Sequence, residues 1–376
     1  NTQTRADQTS FFTGIRLQQL VYDGGAARIS AIAAQETVLA TRQVLLSIEQ
    51  RILLRAVSAY TGVLLQQENV SLRQNNLRLL REELRAAQDR FDVGEVTRTD
   101  VSLAQSRVAN AQASLTDARG ALIDAKAEYA NAVGHDPGVI ATQPNLPQRV
   151  ASVEVARSIA LQSHPDLLAE QHRVKASELT VQAQEKTLGP RVNLQADVGL
   201  TNRYSGLDQS TESLSASIEM IQPLYAGGAL SAGVRRTRAA RDSARAALIS
   251  TQRDVVQSVS NAFVSLEVAR ANLTSRREQI RAAQVAFDGI REEATLGART
   301  TLDVLQAEQE LLNANTAYIV AQAERIIASY SLLASQGLLT AERLGLAVEI
   351  YDPLLYYNLV ENAPARLSKQ GRDLDR

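Results

Sequence analysis

The chain has 376 residues, and 40 Lys+Arg against 41 Asp+Glu leave a net charge of −1. A balance this even excludes the basic footprint of a nucleic-acid partner, and the absence of cysteine excludes disulfides, thiolate metal sites and Cys nucleophiles. Hydrophobic residues make up 45% and aromatic ones only 4%, with no Trp and one Met, so Ala and Leu carry the apolar surface, a composition of long helices in close contact.

In chain order, the first element is a strand over residues 11–17, followed by the turn Leu20-Val21-Tyr22-Asp23-Gly24-Gly25. Residues 26–90 then contain no Pro and one Gly, Gly62. They predict one helix of ~65 residues, ~98 Å long, beyond globular length and in the range of coiled coils. Its seam is Ile52, Ala56, Ala59, Val63, Val70, Leu77, Leu80, Leu84 and Ala87, broken at Gln66 and Arg73. Gly94 suits the left-handed position after a helix, and Thr97-x-x-Asp100 reads as a capping box that starts the next one. That return helix runs Val101, Ala104, Val108, Ala111, Leu115, Ala118, Leu122, Ala125 and Tyr129. Steps of four and three sustained this long imply left-handed supercoiling. His135-Asp136-Pro137 marks a turn.

A helix is predicted from about Ala151 to Gly189-Pro190, with a turn at His164-Pro165. Strict alternation follows: Val192, Leu194, Ala196, Val198 and Leu200 on one face, Asn193, Gln195, Asp197, Gly199 and Thr201 on the other. A polar loop is expected over residues 202–212. Alternation resumes with Leu214, Ala216, Ile218 and Met220 against Ser215, Ser217 and Glu219. Pro223-Leu224-Tyr225-Ala226-Gly227-Gly228 leads into a second long helix over residues 229–293, with seam Val255, Val259, Ala262, Leu266, Ala269, Leu273, Ile280, Ala283, Phe287 and Ile290, broken at Arg276. Gly297 and the capping box Thr300-x-x-Asp303 form its tip. The return helix carries Val304, Ala307, Leu311, Ala314, Tyr318, Ala321, Ala328 and Leu332. The tail over residues 361–376 is polar and expected to fray.

The chain repeats itself at an offset of 203 residues. Gly24 pairs with Gly227, Gly25 with Gly228, Gly94 with Gly297, Thr97 with Thr300, Asp100 with Asp303 and Gly134 with Gly337, without a gap. The expected parts are residues 1–134 as the first repeat, 135–150 as a linker, 151–337 as the second repeat, and 338–376 as an equatorial segment with the tail. Asn1 aligns with Tyr204, so the repeat predicts that a cut has removed a helix and a strand from the first copy.

Each strand is ~10 residues long, enough for a tilted barrel strand to cross a bilayer. A soluble amphipathic hairpin would alternate in the same way. The setting favours the membrane: the neighbouring helices are far too long to be the hairpin's core, and Phe11, Phe12, Tyr22, Tyr204 and Tyr225 sit at strand ends or in the adjoining loop, where an aromatic girdle would lie. So few strands cannot close a barrel, so several chains must share one. The fold class is therefore mostly α with a β-barrel part: long antiparallel coiled-coil hairpins plus strands of a shared barrel, in an internal duplication.

This layout resembles the TolC family of outer-membrane efflux and secretion channels. The resemblance rests on Leu224-Tyr225-Ala226-Gly227-Gly228, on residues 297–305 (GARTTLDVL) and on their counterpart, residues 93–101 (VGEVTRTDV). It implies a homotrimer in the outer-membrane lipid of a Gram-negative bacterium, each protomer giving four strands to one barrel and its helices to a periplasmic tunnel. It implies a closed inner aperture that a periplasmic adaptor protein and an inner-membrane pump or ABC transporter dock against and open. Residues 144–150 and 340–359 would form a small belt around the tunnel. The family's gate maps onto Arg299, linked to Thr99 and Asp100, and onto Asp303 as a carboxylate ring. A second ring Asp of the family is Gln306 here and a Tyr near the tip is Ala294, so the ring would be single and one inter-helix link absent. Helix capping by itself also accounts for Asp100 and Asp303.

The function implied is a passive exit duct of a tripartite efflux pump or type I secretion system. The alternative is a periplasmic coiled-coil adaptor or scaffold without a pore, which would need a lipoyl-like β domain that the sequence does not offer. No catalytic motif, cofactor signature or spaced metal-ligand set is found. His135 and His164 sit at turns, and with His172 they complete the three His.

Overall fold

The computed structural model describes residues 9–140, 146–204 and 209–348. Its elements are β1 (Thr9–Tyr22), α1 (Ala26–Asp92), α2 (Arg98–Val133), α3 (Val153–Ser163), α4 (Pro165–Lys186), β2 (Arg191–Tyr204), β3 (Gln209–Ile221), α5 (Ala229–Thr295), α6 (Thr301–Ser335) and α7 (Ala341–Leu344). α1 and α5 have 67 residues each. The chain divides into two compact units. One takes residues up to Gln43 and Leu168–Thr251, the other Val44–Leu167 and the residues from Gln252 on. α1 and α5 each run through both.

In the first unit the strands form one antiparallel sheet in the order β1-β2-β3. Ile15, Val198 and Leu214 lie side by side, as do Leu17, Ala196 and Ala216. These apolar side chains are bare: Ile15 is 75% exposed, Leu214 84% and Ile218 75%. The opposite face aligns Arg16, Asp197 and Ser215, with an Arg16–Asp197 ion pair. Phe12, expected in a girdle, lays its ring over Gly14 and Gly199, which face each other across the ladder. Two glycines leave a groove in the pleat that a neighbouring aromatic fills. The expected loop over 202–212 is shorter than its polarity suggested. Asn202 pairs with Ser210 and Thr201 with Thr211, because a ladder needs backbone donors and acceptors, not apolar side chains. Residues 205–208 of that loop, and the side chain of Tyr204, lie outside the described residues.

α4 is held on both sides in this unit. His172 and Lys175 bind Glu36 of α1, and Glu185 and Glu178 bind Arg238 and Arg245 of α5. The helix expected from residue 151 is two helices. Pro165 has no N–H to give and pushes His164 into an extended conformation, ψ 121°.

In the second unit the heptad seams are buried where the spacing placed them. Val255, Val259 and Leu266 of α5 pack with Ala156 and Ala160 of α3 and Leu332 of α6. Leu77 and Leu80 of α1 pack with Ala111 and Leu115 of α2. Ile52 departs from its expected place and is exposed. A second face of α6, one residue out of phase with the seam, is also buried. Leu305 joins the Leu77–Leu115 cluster, and Ile326 and Tyr330 pack on Leu53, Leu54 and Val57 of α1. Of the expected belt, residues 144–145 and 349–359 lie outside the described residues. In the remainder, the N–H of Ala341 at the start of α7 donates to Glu49 of α1 at 2.7 Å.

Candidate functional site

Both hairpin tips are built alike. Gly94 (φ +79°) and Gly297 (φ +75°) hold the left-handed position. The N–H of Glu95 reaches the carbonyl of Arg90 and that of Ala298 the carbonyl of Glu293, each at 2.9 Å, the long-range bond of a Schellman motif. Thr97 and Thr300 are N-caps in complete capping boxes. The Asp100 carboxylate accepts the Thr97 N–H at 2.9 Å and its hydroxyl at 2.7 Å. Asp303 accepts the same pair from Thr300 at 3.0 and 2.8 Å. The Thr97 hydroxyl, then its N–H, hold Asp100 below the ordinary carboxylate range. Asp303 is held low by the Thr300 N–H and hydroxyl, with a smaller pull from Arg299. Both carboxylates therefore stay charged at neutral pH.

The two tips face one cleft of about 910 Å3, lined by Asp100, Thr97, Arg291, Ala294, Arg299 and Thr301 among others. Asp100 and Arg299 thus line the same cleft. Within the protomer, however, the Arg299 guanidinium binds Glu293 at 2.8 Å, with both side chains about half exposed. Such a surface pair, screened by solvent, contributes little. Thr99 is exposed in the first turn of α2. Glu293 escaped the sequence reading because its link to Arg299 crosses the tip turn and follows no helical period. Arg73 and Arg276, which break the two seams, line a separate cleft with Asn313 and Glu324.

Two buried acids were also missed. Glu36 binds His172 at 2.7 Å and Lys175. Burial pulls this acid up, but the bonds from Lys175 and His172 outweigh it and leave the group lowered. Glu308, on the second face of α6, accepts from Asn76 at 2.9 Å. The signal for that face was Leu305, Leu312, Ile319 and Ile326, spaced by seven. Among the described residues no cluster of three or more His, Cys, Asp or Glu could hold a metal, and no helix is long and apolar enough to cross a membrane.

The strand-to-helix turns place Gly24, Gly25, Gly227 and Gly228 at positive φ, from +57° to +86°. The copies differ here. Asp23 accepts from Gly25 N–H at 2.9 Å and Ala27 N–H at 2.7 Å, and so satisfies one free donor of α1 and the N–H just before the helix. Its counterpart is Ala226, with only a backbone bond to Ala229. Asp23→Ala is expected to lose about 1 kcal/mol locally, read as faster amide exchange in the first turn of α1 with none at α5. Ala226→Asp is expected to slow exchange at α5.

The comparisons agree with this architecture. Residues 1–135 and 156–338 match the family model for outer membrane efflux proteins. The chain is 37% identical over 361 residues to the outer membrane efflux protein BepC of Brucella suis, covering 94% of this chain and 78% of BepC. It is 28% identical over 317 residues to the alkaline protease secretion protein AprF of Pseudomonas aeruginosa, covering 82% of this chain and 66% of AprF. The solved structure of the outer membrane protein VceC of Vibrio cholerae shares the fold, with a TM-score of 0.72 at 19% identity over 88% of this chain and 87% of VceC. With the family match spanning most of the chain and 94% of the chain aligned with a relative at 37% identity, the chain belongs to the outer membrane efflux protein family, a family of channels and not of enzymes.

Proposed function

We propose that this chain is the protomer of a homotrimeric exit duct in the outer membrane, the outlet of an efflux pump or a type I secretion system. The observation that carries this is the sheet. Among the described residues β1 and β3 are edge strands, and nothing covers the apolar face. An open edge cannot stand in lipid, so strands of other protomers complete the barrel, with the Ile15–Leu214 face toward lipid and the Arg16–Asp197 face toward the lumen. A periplasmic adaptor gives no reason for such a face, and BepC carries an outer membrane name. The resemblance divides the work among four parts: residues 1–134 and 151–337 as the two repeats that build barrel and tunnel, 135–150 as a linker, and 338–376 as the equatorial segment and tail.

In this reading the tips are the periplasmic gate. Asp303 from each protomer sets a ring of negative charge around the aperture, which attracts cations. Arg299 gives up its weak bond to Glu293 for Thr99 and Asp100 when the aperture is shut. A periplasmic adaptor and an inner-membrane transporter pull the tips apart. Bilayer conductance tests this with Asp303→Asn, which keeps an acceptor for the Thr300 cap and removes only the charge. The expected result is a small cation-selective conductance in the parent and a several-fold loss of cation preference in the variant. Unchanged selectivity would reduce Asp303 to a helix cap, and well-folded trimers without conductance would end the duct reading.

A further inference from the structure

Glu308 lies just over two turns past the Thr300 cap and is 4% exposed. Its Oε1 accepts from the Asn76 side chain of α1, and its Oε2 is buried with no hydrogen-bond partner. Leu305 on the same face packs on Leu77, Leu80, Ala111 and Leu115, so the carboxyl sits at an apolar junction of the two hairpins. The charged groups that face it are Glu83 of α1, Arg107 of α2 and Arg291 of α5, and Arg291 lies 3.7 Å from Glu83. The repeat counterpart of Glu308 is Gln105, which is exposed. The buried acid therefore belongs to the second copy alone.

A carboxylate with one donor in such a place is costly to ionise. Burial, then the nearby Glu83, push the acid up to about 7, while Asn76, Arg291 and Arg107 pull the other way. When protonated, the group keeps the Asn76 bond and puts no charge on the junction. When ionised, it leaves a charge facing a second carboxylate.

We propose that Glu308 is a proton-operated latch that ties α6 of the second hairpin to α1 of the first behind the tips, fastened when the carboxyl is neutral and loosened when it ionises. As a device of the gate, it rests on the duct reading above. The sign follows from linkage. Once the junction opens, the acid titrates at its ordinary value, so between that value and about 7 the packed form holds more protons. The contact therefore weakens as pH rises through this window and changes no further above it. This sets Glu308 apart from Asp100 and Asp303, which stay charged throughout.

Amide exchange on the full-length trimer in detergent, corrected for intrinsic rates, tests the latch from about pH 5.5 to about 8.5. Protection of residues 301–315 is expected to fall at least about tenfold up to about pH 7 and to level off there. In Glu308→Gln it is expected to stay high and flat. Glu83→Gln should move that levelling-off point down and Asn76→Ala should move it up, shifts that a merely structural role would not produce. A flat parent profile, or a Glu308→Gln profile that titrates like the parent, would overturn the latch. Conductance of the same samples keeps the two readings apart. Trimers that titrate in exchange but never conduct support the latch and end the duct, whereas conducting trimers with no Glu308-dependent exchange end the latch alone.

Discussion

Gly337→Ala is expected to destabilise the chain by about 2–5 kcal/mol. Gly337 ends α6 at φ +78°, a conformation that costs an L-residue roughly 1–2 kcal/mol. There is also no space. A Cβ would stand 2.7 Å from His164 Cα and from the Ser163 carbonyl oxygen, and 2.9 Å from Pro165 Cδ. These atoms belong to the α3–α4 break, which cannot swing aside like the end of a long side chain, so overpacking adds roughly 1–3 kcal/mol. The junction is knit further by the Ser163 hydroxyl, 2.9 Å from the Gln336 carbonyl, and by the fully buried Leu339. The internal duplication supplies the control. Gly134 is the counterpart, also at positive φ, but a Cβ there meets nothing within 4 Å. Gly134→Ala should therefore cost only the conformational part, about 1–2 kcal/mol. Thermal unfolding of the extracted protein by far-UV circular dichroism separates the two. Equal losses would show that φ alone matters and that the α3–α4 junction yields.

That pair of glycines also shows what could be read in the sequence. The 203-residue register matched Gly134 to Gly337 on conformation, which is local, but gave no sign of the α3–α4 backbone packed against only one of them. The same divide runs through the molecule. Long helices, tips and caps were legible because heptad spacing, a Gly after the helix and Thr-x-x-Asp act within a few residues. The second buried face of α6 was obscured by the Ala-rich seam beside it, and Glu308 in its midst looked like one more solvated acid. Strand ends were undercounted because Ser210 and Thr211 pair through backbone alone. At the gate, Asp100 and Asp303 were legible as caps, whereas the grouping of Arg299 with Thr99 and Asp100 came from the resemblance. The Arg299 bond to Glu293 depends on how the tip folds back, which no period encodes.

Ile218→Arg is expected to remove the chain from the outer membrane, and Ser217→Arg to leave it there. The two residues are adjacent on β3, so they share expression, strand propensity and distance along the sheet. They differ in the face they present. Ile218 lies across from Leu194 and is 75% exposed, whereas Ser217 lies across from Gln195, on the face of Asp197 and Arg16. If the apolar face meets lipid, an Arg there costs about 2–4 kcal/mol near the bilayer midplane, and a trimer bears that cost three times. On the lumen face an Arg stays in water and changes selectivity more than stability. Membrane fractionation and trimer yield read the difference directly. If Ile218→Arg assembled as well as Ser217→Arg, the bare apolar face would not be a lipid face. The sheet would then have to be covered by protein instead. Loss with both variants would mean that β3 tolerates no charge on either side, and the lumen assignment of Arg16 and Asp197 would fall. Only the asymmetric result fits a strand whose alternation is a membrane code.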